Sequence, residues 1–240
     1  MAITYINSLS RPADNDTANG PESNALTFGV AGVTTGDLAF IIVQYNGGGT
    51  IVMSEPNGQD WQESAIYNSP GGQSCKFIWC RWDDATETGN NPRVTTGANQ
   101  QTVIYGVFRP TDPDWSWAVD QAIDTDTYTA PSTPFTVNIP GVTNSQASTV
   151  TFAVWHSEDD NTWSTPSGAG WTNPDTHTVR NNAVMSTALA YKIMTSAGAT
   201  GDVSKTQDTL GGDAGAIAII SIYEFDPAAV VPVMVAWMTA

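Results

Sequence analysis

A chain of 240 residues, 40% hydrophobic and only 13% charged, has ample material for a core and divides into one large domain or two small ones. Its net charge of −16, with eight cationic side chains, repels phosphate backbones and argues against DNA or RNA as a partner. Thr, Ser, Asn, Gly and Pro are abundant while Leu, Lys and Glu are scarce, a balance that disfavours long helices and predicts an all-β protein.

Residues 1–25 read as an N-terminal segment. MAITYINSLS lacks a basic-plus-apolar leader, and no apolar run approaches the roughly 20 residues a membrane helix needs, so the chain reads as soluble, unanchored and without a secretion signal. Strands are predicted at LAFIIVQY (38–45), at FIWCRW (77–82) and at TVIYGVF (102–108). The middle one is apolar on both faces, with Phe77 and Trp79 pointing one way and Ile78, Cys80 and Trp82 the other. It should therefore be covered twice, by its own core and by a second lobe or subunit.

Cys75 and Cys80 lie five residues apart in CKFIWCRW (75–82). An odd offset puts them on opposite faces, about 16 Å apart at about 3.3 Å per residue, whereas a disulfide needs Cα atoms within about 7 Å. Zinc would need paired C-x-x-C or matching histidines, and only His156 and His177 are present. The cysteines read as small apolar core residues, with no metal or redox role.

The second half of the chain repeats the first. LTFGVAGVT (26–34) matches FTVNIPGVT (135–143), SEPNGQDW (54–61) matches STPSGAGW (164–171), FIWCRW matches LAYKIM (189–194), and VIYGVFR (103–109) matches AIISIYE (218–224). The offset drifts from 109 residues at the first match to 115 at the last, as small loop insertions would give. The second copy adds strands at TVTFAVWH (149–156) and AIAIISIYEF (216–225). The chain divides into a first β-repeat (26–110), a Pro- and Asp-rich connector (111–134), a second β-repeat (135–226) and an apolar arm (227–240). The expected fold is a pair of pseudo-twofold-related β-sandwich or jelly-roll-like halves with extended terminal arms.

In the shared S-x-P-x-G-x-x-W frame, Pro56 and Pro166 fix φ, Gly58 and Gly168 allow positive φ, and Trp61 and Trp171 can turn inward to close a sheet end. At the positions of the two cysteines the second copy carries Thr187 and Lys192, so the scaffold does not require thiols.

Candidate chemistry is sparse. HSEDDN (156–161) and DQAIDTD (120–126) gather carboxylates that could hold Ca²⁺, but neither has EF-hand spacing and acidic turns are commonly solvated loops. No G-x-S-x-G elbow, P-loop or H-E-x-x-H occurs, and the two histidines lie in dissimilar contexts. The chain reads as non-enzymatic, with no catalytic residues, metal or cofactor to nominate.

The order GDLAFIIV (36–43), a Pro-Gly-Trp loop, an aromatic strand and YGVFRP (105–110), followed by a degenerate second copy, resembles a family of duplicated β-sandwich proteins. These are encoded among the virion genes of tailed bacteriophages and in prophage regions, as structural, tail-associated or decoration proteins. The family's loop reads P-x-G-W where this chain has Pro56-Asn57-Gly58-Gln59-Asp60-Trp61, and its last strand ends Tyr-Arg-Gly where this one ends Phe108-Arg109-Pro110. The resemblance implies a virion protein on the outer surface of the particle, assembled in the host cytoplasm and bound to other virion proteins. A second reading is a carbohydrate-binding or adhesin module in which exposed Trp115, Trp117 or Trp163 stacks on host glycans beside carboxylates.

The tail PAAVVPVMVAWMTA carries no charge through residue 240, is too short to span a bilayer and is broken by Pro232. It must be covered. One way is as a final strand packed on its own sandwich; the other, preferred because the tail falls outside both repeats, is an arm that adds a strand to a neighbour or gathers about a symmetry axis, with Val231, Val233, Val235 and Trp237 on one face, making the protein a homo-oligomer.

Overall fold

The structure, a computed structural model, describes residues 2–11, 26–28, 30–47, 50–55, 58–83, 92–96, 100–130, 134–181, 184–207 and 213–230. Among these, the first half supplies β1 (Thr4–Arg11), β2 (Leu38–Tyr45), β3 (Val52–Glu55), β4 (Gln62–Glu63), β5 (Tyr67–Asn68), β6 (Ser74–Arg81), β7 (Arg93–Thr95) and β8 (Gln101–Arg109). The second half supplies β9 (Ser116–Thr129), β10 (Phe135–Ile139), β11 (Thr143–Asn144), β12 (Thr149–Ser157), β13 (Thr178–Asn181), β14 (Met185–Met194), β15 (Gly198–Ala199), β16 (Val203–Gln207) and β17 (Ala214–Phe225). A 3₁₀ turn, η1 (Pro227–Val230), follows. The protein is all-β, as its composition predicts.

Two large antiparallel sheets face each other. One runs β1-β8-β2-β6-β4, with β5 also on β6, and the other β9-β17-β12-β14-β13. β8, β2 and β6 hold the centre of the first sheet in the same order as β17, β12 and β14 hold the centre of the second, and of these β6/β14 and β8/β17 carry the sequence matches. Between the sheets lies a shared core in which Phe40 meets Phe152 with ring centroids 5.0 Å apart, flanked by Phe77 and Phe108.

The outer face of each large sheet is covered as well. In the first, Ala39, Ile41, Val43, Ile78, Cys80 and Trp82 pack under β3, β7 and Leu26, Phe28, Ala31 and Val33. In the second, Ala153, Trp155, Ala188, Ala190 and Ile217 pack under β10, β16 and the loop holding Trp163 and Trp171. Four layers result. The inner strands are therefore buried along both faces and read as unbroken apolar runs, whereas β16, with water on one side, alternates as Val203-Ser204-Lys205-Thr206-Gln207. Cys75 lies in the shared core and Cys80 in the outer one, both as free thiols, so the two faces of β6 are covered by different layers.

Three expectations change. The connector 111–134 is not a linker: it holds β9, which pairs with β17 along its length and forms the edge of the second large sheet. The N-terminal segment 1–25 is not an arm over its described part, because β1 pairs with β8 from Thr4↔Arg109 to Arg11↔Val103. The last repeat match slips by one residue. Ile104 and Phe108 of β8 face the shared core as Ala218 and Ile222 of β17 do, an offset of 114 where the sequence match gives 115. A one-residue slip would send every side chain to the wrong face, so burial decides the phase.

Candidate functional site

The most distinctive polar cluster lies between the two large sheets. Gln44 and Thr102, at the ends of β2 and β8, and Tyr67 on β5 come from the first half; His156, Ser157 and Thr187, on β12 and β14, come from the second. All are buried. The Gln44 side-chain nitrogen donates to the Ser157 carbonyl at 2.8 Å and to the Gln73 side-chain oxygen, which fixes Gln44 Oε1 as the acceptor of the Thr187 hydroxyl at 2.9 Å.

Once the Thr187 hydroxyl proton is committed there, its oxygen can only accept from its other neighbours. The Thr102 hydroxyl, 2.7 Å away, and His156 Nδ1–H, 3.0 Å away, are then its donors. That leaves His156 Nε2 to accept from the Tyr67 hydroxyl at 2.8 Å. With the protons placed in this way the imidazole is neutral, its two nitrogens bonded to Thr187 and Tyr67. Burial drives its pKa down to about 3 and pushes the Tyr67 hydroxyl well above its ordinary value.

A general base needs a reacting group within hydrogen-bond reach. Here both imidazole nitrogens are occupied and the ring has no exposure, so the cluster fixes how the two sheets meet and presents nothing to a substrate. No motif encodes it. The signal was polar residues set at the ends of otherwise apolar strands, Gln44 in LAFIIVQY and Thr102 in TVIYGVF.

Other ionisable groups are likewise tied into the scaffold. Arg109 grips the buried Asp37 through Nε at 3.1 Å and Nη2 at 3.0 Å, and Asp37 in turn accepts the Thr34 amide at 2.8 Å. Glu224, near the end of β17, accepts the Thr111 amide at 2.6 Å and its hydroxyl at 2.8 Å. Lys205 is buried with Nζ 2.6 Å from Asn173 Oδ1, 3.2 Å from the Ser164 carbonyl and 5.7 Å from the Trp155 ring centroid. Burial pulls its pKa down to about 7. The Cys75 and Cys80 thiols are pushed well up by burial and so stay protonated.

The predicted glycan platform does not stand for two of its three tryptophans. Trp117 is 5% exposed, its indole N–H donating to the Gly36 carbonyl at 2.9 Å. Trp163 is 7% exposed and donates to Ser186 Oγ at 3.0 Å. Both rings are core, because each strand or loop that carries them closes a sheet. Trp115 is half-buried beside Arg81, which donates to its carbonyl at 2.9 Å.

In the loop frames, Gly58 has φ +76° and Gly168 φ +142°. Trp61 turns toward Phe28 and Trp82, and Trp171 into the outer core of the second half. Pro166 is half-buried, whereas Pro56 lies outside the described residues, as do Val231, Val233, Val235 and Trp237.

The acidic sets are not loops alike. Asp120, Asp124 and Asp126 project from β9, where Asp120 accepts the Ser145 amide at 2.9 Å. Asp159 follows β12, and burial, then Asp213 and Asp160, raise its carboxyl pKa. Among the described residues, no three His, Cys, Asp or Glu side chains are grouped to hold a metal ion, and no helix is long and apolar enough to cross a membrane. Compared with family models, curated proteins and solved structures, the chain matches none.

Proposed function

We propose that the protein is a structural accessory component of a tailed-phage particle, on the capsid surface or the tail, that acts by binding other virion proteins and not by catalysis. One observation carries this reading. Three side chains that could do chemistry are spent on the scaffold: His156 is locked between the sheets, Lys205 is held by Asn173 and a backbone carbonyl, and Arg109 is closed onto Asp37. The repeat and its Pro-Gly-Trp loops support the virion assignment through their resemblance to duplicated phage sandwiches. The apolar arm from 227 onward supplies a means of assembly into homo-oligomers.

The glycan-binding alternative now rests on Trp115. Gradient-purified particles, analysed by mass spectrometry, should contain the chain at a fixed copy number, and the recombinant protein should bind particles that lack it. Absence from purified particles, together with glycan binding lost in Trp115→Ala, would overturn the structural reading in favour of the adhesin.

A further inference from the structure

We propose that the open edge of β9 receives the C-terminal segment of a second copy of this chain, residues 231–240, as an added antiparallel strand. This rests on the assembly role proposed above and names the surface where the segment lands.

β9 is 14 residues long, about 46 Å at about 3.3 Å per residue, and among the described strands it pairs with β17 alone. Residues 124–127 are exposed on both faces of the strand. Val119, 41% exposed, is one of four large hydrophobic side chains facing water among the described residues. The outward backbone groups of an edge strand, among which the Thr127 N–H bonds Asp126 Oδ1 at 2.7 Å, form beside an exposed valine a template for a further strand.

The edge also selects its occupant. β9 carries Asp120, Asp124 and Asp126 and no cation, so like charge opposes an acidic strand, including β9 of another copy. Of the longer segments outside the described residues, 12–25 carries three carboxylates and 84–91 two, while VPVMVAWMTA carries none. Extended, its ten residues cover about 33 Å and fit within the edge.

The origin of the segment follows from where the described chain stops. η1 begins two residues after Phe225, which pairs with Ser116 at the start of β9. A segment running back along its own β9 from that rim would lie parallel to it. Every pairing between the named strands is antiparallel, and antiparallel ladders are the more stable per residue. A neighbour's segment can enter from the far end and pair in that sense.

The test mixes full-length Thr125→Cys with full-length Val233→Cys under mild oxidation; Cys75 and Cys80 are buried and stay out of the exchange. A disulfide-linked dimer should form in the mixture and not in either variant alone. Deleting 231–240 from the otherwise unaltered chain should abolish the oligomer and speed amide exchange in β9 by about tenfold or more. Loss of the oligomer with no cross-link and no change in β9 exchange would overturn β9 as acceptor while leaving the assembly role intact. A truncated chain that still assembles would overturn both. A cross-link obtained only when both cysteines sit in one monomeric chain would overturn the exchange between copies.

Discussion

His156 has both ring nitrogens engaged and no exposure, and its pKa falls from an ordinary 6.5 to about 3. Between those values only the unfolded chain binds the proton. Stability from this residue is therefore complete above pH 6.5, declines as pH falls, and is lost on approaching pH 3. At about 1.4 kcal/mol per unit, the fall between pH 7 and pH 4 amounts to about 3 kcal/mol. Carboxylates titrate in the same range, so the comparison has to be with His156→Gln, which keeps them. Urea unfolding should find that variant less stable at pH 7 and its deficit shrinking toward pH 4. Parallel stability curves for the two proteins would mean that His156 does not enter the folded state neutral.

Among the elements, the two loop frames make matched glycines unequal. Gly58, at φ +76°, has nothing within 4 Å of a Cβ placed on it, so Gly58→Ala costs only the backbone strain, about 1 kcal/mol. A Cβ on Gly168 would stand 2.7 Å from the Asp202 carbonyl oxygen and 2.9 Å from Trp171 Cδ1 at φ +142°. Gly168→Ala should cost about 3 kcal/mol by chemical denaturation, strain and overpacking together. Equal costs would contradict the different packing of the two loops. The core strands β2, β6, β8, β12, β14 and β17 were legible because both their faces are buried, which leaves unbroken apolar runs. β9 was not. Its sequence SWAVDQAIDTDTYT mixes Asp and Thr with small apolar residues because much of it stands in water, and by composition that resembles a connector. β1, TYINSLSR, was hidden for a different reason: it is an edge strand whose buried Ser8 bonds across to the second half, accepting the Thr176 amide at 2.9 Å. The polar seam escaped because its members come from five separate strands, and only pairing brings them together.

For the whole molecule, the decisive fact is that the main core belongs to neither half. Phe40, Phe77 and Phe108 from the first meet Phe152, Leu189 and Ile222 from the second, so separating the halves would open a full sheet face on each. A buried aliphatic or aromatic side chain contributes about 1.5–3 kcal/mol when removed from water, and the exposed face would hold several. Polar groups would be stranded with it: Gln44 would lose Ser157 and Thr187, and His156 would lose Tyr67. Unpaired buried groups cost about 1–3 kcal/mol each, yet on an open face they would be wetted, so the loss is of packing more than of bonds. Cutting the chain in the loop at Pro113, between β8 and β9, leaves every strand of each sheet on one fragment. Fragments 1–112 and 113–240 should each aggregate or melt without cooperativity when produced alone. Produced together, they should reassemble into a particle of the parent's size that unfolds in a single transition. A lone fragment that remains monomeric and melts cooperatively would show that each repeat is a domain in its own right, with the aromatic seam a docking surface added afterwards.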